Sequence, residues 1–134
     1  GGVARAIGYG IIQRKGKLII MNRTGSKARK LAKELNCVAE PLSALNAKDN
    51  TAINNIDIII NATSIGMFPL INKTPIKKSA LKRIINKNTL VFDSVYNPKN
   101  TKLLKESRQL GCNTIGGYDM FINQAEEQMR LFAR

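Results

Sequence analysis

"KLIIMNRTGSKARKLAKELN", residues 17–36, changes its hydrophobic period once, and that change decides the fold. Residues 17–22 are a short apolar run suited to a buried strand, whereas residues 26–36 form an amphipathic helix with Ser26 as the expected N-cap. The same alternation continues on both sides. Upstream, residues 2–16 place Val3, Ala6, Ile7 and Ile11 at helical spacing, with Gly16 as a stop. Downstream come a short strand at 37–39, a polar link "NAKDNTAINN" (46–55) and the most apolar run, "IDIIINAT" (56–63). A helical crossover (75–85), the strand "TLVFDSVY" (89–96) and a helix (100–111) closed by Gly111 follow. The strand "CNTIGG" (112–117) leads into a terminal helix (119–134) that aligns Met120, Gln124 and Gln128.

Strands alternating with helices of about ten or more residues imply parallel strands joined by right-handed crossovers, the doubly wound α/β class. Such sheets place ligands beyond the carboxyl ends of their strands. The chemistry is therefore expected at Asn22-Arg23-Thr24, at Asn61-Ala62-Thr63-Ser64, at 93–96 and at Gly116-Gly117.

Composition narrows the classes. A chain of 134 residues at 43% hydrophobic suits one domain with an ordinary core, read as spanning 1–134. It contains no run near the ~18 apolar residues of a membrane span and no secretory pattern, so a soluble protein is expected. Cys37 and Cys112 match no metal-ligand spacing, and with no histidine present they read as buried thiols in a reducing compartment, with no metal site. The net charge of +13 would suit a nucleic-acid partner, but the cations are scattered among only four Phe and three Tyr. Lys, Ile and Asn fill about a third of the chain, which points to an AT-rich coding sequence instead. No nucleic acid and no membrane is the expectation.

Two stretches carry ligand chemistry. In "GGVARAI" (1–7), Gly1 and Gly2 precede a helix, where a bare backbone and the unpaired first-turn N–H groups favour a phosphate. At the end of the strand 17–22 stands a cation in place of an acid. An acid there would accept from a ribose 2′-hydroxyl and select NAD, whereas a 2′-phosphate calls for a guanidinium. Arg23, flanked by Asn22 and Thr24 and followed by Lys27, is the pattern of an NADP site.

These motifs together resemble shikimate dehydrogenase, specifically its C-terminal NADP-binding half, over nearly the whole chain. "GGVARAI", "NRT" with Lys27, "NATSIGM" (61–67), "FDSVYNP" (92–98) with Thr101, and "GGYDMFINQA" (116–125) are similar to family motifs in order and spacing. The stretches "VFDSVYNPKNTKLLKE" and "MFINQAEEQ" look most like the plant and chlamydial type, often fused to a 3-dehydroquinate dehydratase. The resemblance implies a doubly wound, Rossmann-type domain that binds NADP through Gly1, Gly2, Val3, Ala4, Asn22, Arg23, Thr24 and Lys27. It implies that Ala62, Thr63 and Ser64 line the nicotinamide half, with 65–67 turning beneath the ring at Met67. Val95, Gly117 and Met120 would complete the cofactor site, and Tyr96 and Gln124 would face shikimate or 3-dehydroshikimate. The implied reaction is the NADP-dependent interconversion of those two compounds, in aromatic amino acid biosynthesis, in a cytoplasm or a plastid.

Two departures from the family pattern shape the expectation. The family loop follows a strand and begins Gly-x-Gly-Gly, while this sequence starts at Gly1-Gly2. A gap is therefore expected between the strands 17–22 and 56–61, or the two must move together. The family's catalytic Lys and Asp belong to an N-terminal substrate domain, so no catalytic residue is assigned here, and the chain alone is expected to be inactive. The alternatives are a related dehydrogenase of quinate/shikimate or glutamyl-tRNA reductase type, or a basic nucleic-acid-binding α/β module. "GGYDMFINQA" argues against the reductase.

Overall fold

The computed structural model describes residues 1–46, 53 and 55–132, which fall into two compact units, 1–52 and 53–134. The predicted polar link at 46–55 lies outside the described residues except for 46, 53 and 55.

The first unit holds helix α1 (Gly2–Gln13), strand β1 (Ile19–Asn22), helix α2 (Gly25–Leu35) and strand β2 (Val38–Pro41), closed by a 3-10 turn at Leu42–Asn46. β1 and β2 run parallel, with Ile19 opposite Val38 and Asn22 opposite Pro41. α2 buries Ala28, Ala32 and Leu35, one stripe at helical spacing. α1 meets it at Gly8, where a Cβ would stand 2.5 Å from Leu35 Cδ1. A methyl there would force the leucine aside.

The second unit is a parallel sheet of β3 (Ile58–Asn61), β4 (Leu90–Asp93) and β5 (Asn113–Gly116), in that spatial order. Helices α3 (Lys78–Ile84), α4 (Lys102–Gln109) and α5 (Gly117–Phe132) complete it. Alternation along the strands sorts the residues between two faces. Ile59 and Val91 point into the core with Leu81, Leu103 and Leu104, each at most 8% exposed. Truncating any of those leucines to Ala would cost about 2–5 kcal/mol. The opposite face carries Ile58, Ile60, Leu90, Phe92 and Ile115, and α5 lines the groove above it.

The strand and helix order matches the expectation, and the bounds differ for local reasons. α1 ends at Gln13, short of the predicted 16, because the chain reverses through Lys15 at φ 59°. α2 starts at Gly25, with Thr24 and not Ser26 as its N-cap residue. The Asn22 side chain bends the chain first, its Oδ1 accepting from the Thr24 N–H at 2.8 Å. β1 pairs only with β2, and β3 pairs only with β4, so the described strands form two sheets. Of the two thiols Cys112 is buried and Cys37 only half-buried; both are free, and burial pushes both up in pKa. Among the described residues no helix is long and apolar enough to cross a membrane.

Candidate functional site

In the first unit the site residues gather at two helix starts. At α1, Gly1 is the N-cap residue and no side chain caps the helix. The N–H groups of Gly2, Val3 and Ala4 have no acceptor within the helix. A Cβ at Gly1 or Gly2 would meet nothing within 4 Å, so local packing does not demand glycine at either position.

At the β1–α2 junction the Asn22–Thr24 bond holds a tight turn whose outer residue, Arg23, is exposed. Thr24 and Lys27 are exposed as well, Lys27 lying in the first turn of α2. That turn contains no acidic side chain. Two cations and the positive end of a helix dipole therefore share one junction, with no acidic side chain in the helix's first turn to oppose them.

In the second unit the ends of β3 and β4 are joined by side chains that the sequence reading placed at strand ends without giving them a role. Asn61 and Asp93 are register partners, and both are buried on the face that α4 covers. The Asp93 carboxylate accepts from Asn61 Nδ2 at 2.9 Å, from Val95 N at 3.1 Å and from Thr101 Oγ1 at 2.7 Å. Asn61 Oδ1 accepts from both the N–H and the hydroxyl of Thr63, at 3.1 and 2.7 Å. Burial pushes the Asp93 carboxyl above its ordinary pKa, with the bonds from Thr101, Val95 and Asn61 pulling the other way. The signal available in the sequence was a polar residue closing each of two apolar strands.

From this anchor the loop after β3 runs outward. Ala62 is half-buried, Thr63 and Ser64 are exposed, and Met67 is half-buried beyond Gly66, whose φ of +104° favours glycine. Val95 is buried, tied through its N–H to Asp93, while Tyr96 beside it is 56% exposed and stacks on Phe121 at 6.1 Å between centroids. Gly117 is buried against the backbone of Ser94 and Val95. Met120 and Gln124 share one side of α5, as their spacing predicts, and both line the groove over Ile60 and Phe92. Thus Thr63, Val95 and Gly117 are drawn together around the strand ends. Tyr96 is not among the residues lining the groove that holds Gln124.

The comparisons with known proteins agree with one another. The family model described as "Shikimate / quinate 5-dehydrogenase" matches residues 3–111. The chain is 39% identical over 132 residues to the chloroplastic bifunctional 3-dehydroquinate dehydratase/shikimate dehydrogenase of Arabidopsis thaliana, covering 98% of this chain and 21% of that protein. Among solved structures it is similar to quinate dehydrogenase from Corynebacterium glutamicum in complex with NAD, with TM-score 0.80 and 33% identity. That match covers 98% of this chain and 46% of the other. It is also similar to the Thermus thermophilus shikimate 5-dehydrogenase solved with NADP(H) and shikimate, with TM-score 0.78, 26% identity and coverage of 98% and 45%. The chain therefore spans about half the length of these solved relatives, and less of the plant one. A family match over residues 3–111, on parallel α/β units with ligand-type residues at their strand ends, leads to one conclusion: this chain belongs to the shikimate/quinate 5-dehydrogenase family.

Proposed function

We propose that residues 1–134 form the NADP-binding, Rossmann-type half of an enzyme that interconverts 3-dehydroshikimate and shikimate. The observation that carries the cofactor choice is the β1–α2 junction, where an Asn22-held turn presents Arg23 and, one turn on, Lys27 with no acid in the first turn. A guanidinium fits a 2′-phosphate by paired N–H bonds, and an amide or hydroxyl at Asn22 or Thr24 suits the neighbouring ribose. The uncapped first turn of α1 suits a pyrophosphate. When bound, the nicotinamide supplies or accepts a hydride.

In this reading the protein's own residues bind and orient. Thr63 and Ser64 are exposed at the end of β3, the Thr63 hydroxyl giving its proton to Asn61 Oδ1, and half-buried Met120 offers apolar surface to a flat ring, with buried Val95 and Gly117 shaping the backbone of the site. Tyr96 and Gln124 face the substrate's carboxylate or hydroxyls. The proton-transferring Lys and Asp come from an N-terminal substrate domain of the same enzyme. The likeness to the bifunctional plant protein favours fusion to a 3-dehydroquinate dehydratase, and the place of work is a cytoplasm, or a plastid in a plant-type protein.

Arg23→Ala in the full-length enzyme tests the cofactor assignment. It should lower kcat/KM for NADPH by about 1.5–3 kcal/mol in transition-state terms, the worth of a charge-assisted hydrogen bond, and leave NADH nearly unchanged. Equal losses with both cofactors would sink the assignment.

A further inference from the structure

The buried polar cluster at the ends of β3 and β4 contains one acceptor-only side chain, Asp93, which joins the Ile65 carbonyl in setting how Asn61 points. An ionised carboxylate has no proton to give, so the atom of Asn61 facing Asp93 at 2.9 Å must be Nδ2. Its second proton goes to the Ile65 carbonyl at 3.0 Å. Oδ1 is thereby turned toward Thr63, taking both its N–H and its hydroxyl proton, and the Thr63 oxygen then accepts from Ile65 N at 3.1 Å. On its other side Asp93 holds Thr101 Oγ1, which accepts from Leu104 N at 3.3 Å and so starts α4. Asn61, Asp93 and Thr101 are at most 3% exposed, whereas Thr63 and Ser64 are open to solvent.

We propose that Asp93 is a positioning residue for the cofactor: through Asn61 it fixes the rotamer of Thr63 and the path of residues 61–65. This rests on the reading that Thr63 and Ser64 line the NADP site. Asp93 touches neither cofactor nor substrate in this scheme. Its carboxylate is the one side chain of the cluster that cannot switch between donor and acceptor, and together with the backbone Ile65 carbonyl and Thr63 N–H it holds the Asn61 amide in one orientation.

Asp93→Asn keeps the shape and removes that constraint, because an amide can present either end to Asn61. In the full-length enzyme its NADPH dissociation constant, read by fluorescence, should rise about tenfold, as for loss of one charge-assisted hydrogen bond. Amide exchange at Thr63 and Ile65, measured without nucleotide, should quicken. Thr101→Val should shift both in the same direction and Thr101→Ser should restore them, which keeps the test decisive should Asp93→Asn fail to fold. Val91→Ala, a core truncation two residues before Asp93 on the same face of β4, controls for stability and local repacking, and should leave nucleotide affinity within about twofold because Val91 contributes no hydrogen-bonding group to the cluster. Wild-type affinity in both Asp93→Asn and Thr101→Val would overturn the positioning role alone. So would an equal loss of affinity in Val91→Ala at the same drop in Tm. A wild-type enzyme with no affinity for NADPH would overturn the functional reading, and the positioning role with it.

Discussion

Gly117 shows how one missing side chain joins two strand ends. A Cβ built on it would lie 2.3 Å from the Ser94 carbonyl oxygen and 2.6 Å from the Val95 carbonyl carbon, both backbone atoms that no rotamer change can move. Glycine is therefore what lets α5 begin directly against the end of β4. Gly117→Ala should cost about 1–3 kcal/mol as overpacking, and it should push apart the segments that carry Val95 and Tyr96. Urea unfolding of the variant checks the first expectation; an unchanged midpoint would mean that α5 starts farther from β4. The sequence offers "GGYDM" as a ligand motif, but the packing demand on its second glycine comes from a strand 20 or so residues upstream. Asn61 and Asp93 were similarly visible as polar residues closing apolar strands. Their bond was not visible, because it depends on a register that the alternation of apolar residues leaves open.

At the scale of elements, helix ends show what the sequence pattern could and could not convey. α1, α2 and α4 all stop in the same double-bonded turn. Gly16, Cys37 and Cys112 N–H groups reach back to Ile11, Ala32 and Ser107, while those of Lys15, Asn36 and Gly111 reach Ile12, Lys33 and Arg108. The left-handed residue is Gly111 in α4, Asn36 in α2 and Lys15 in α1, at φ 84°, 51° and 59°. Gly111 was legible as a stop because glycine is the usual occupant. Gly16 was legible too but stands one place late, its bare Cα required because a Cβ would lie 2.6 Å from Ile11 Cγ2. Lys15 has a Cβ in a region that costs an L-residue roughly 1–2 kcal/mol, against about 0.5–1 kcal/mol of extra chain entropy for glycine. Lys15→Gly should accordingly stabilise the chain by up to about 1 kcal/mol. Thermal unfolding reads this, and a lower Tm would show that Lys15 makes a compensating interaction.

For the whole molecule, pH dependence separates a buried carboxylate from an exposed one. The sequence has no histidine, so the usual neutral-range titration is missing and the carboxylates dominate on the acid side. Glu34 is held below its ordinary pKa, chiefly by a 2.9 Å hydrogen bond from Arg5 that ties α2 to α1, with desolvation pushing against it and the charges of Arg5 and Lys30 adding to the lowering. A carboxyl lowered in the folded state lends stability above its unfolded pKa and loses it as pH falls through the folded value. Asp93 has the opposite sign. Burial raises it, so the folded chain binds its proton more tightly than the unfolded chain, and stability declines as pH rises from the ordinary carboxylate range through the raised folded value. As far as these two groups go, stability peaks where an ordinary carboxylate titrates and falls on either side. Salt tells the limbs apart: the Arg5–Glu34 pair is solvent-exposed and screened, while Asp93 is 0% exposed and held by neutral partners. Urea midpoints measured across the acid to neutral range should show the upper limb in wild type at both low and high salt, and should lose that limb in Asp93→Asn. A wild-type profile that is flat above the ordinary carboxylate range would mean that the bonds from Thr101, Val95 and Asn61 fully offset the cost of burying the charge. In that case Asp93 would hold the two strand ends together without any cost in stability at neutral pH.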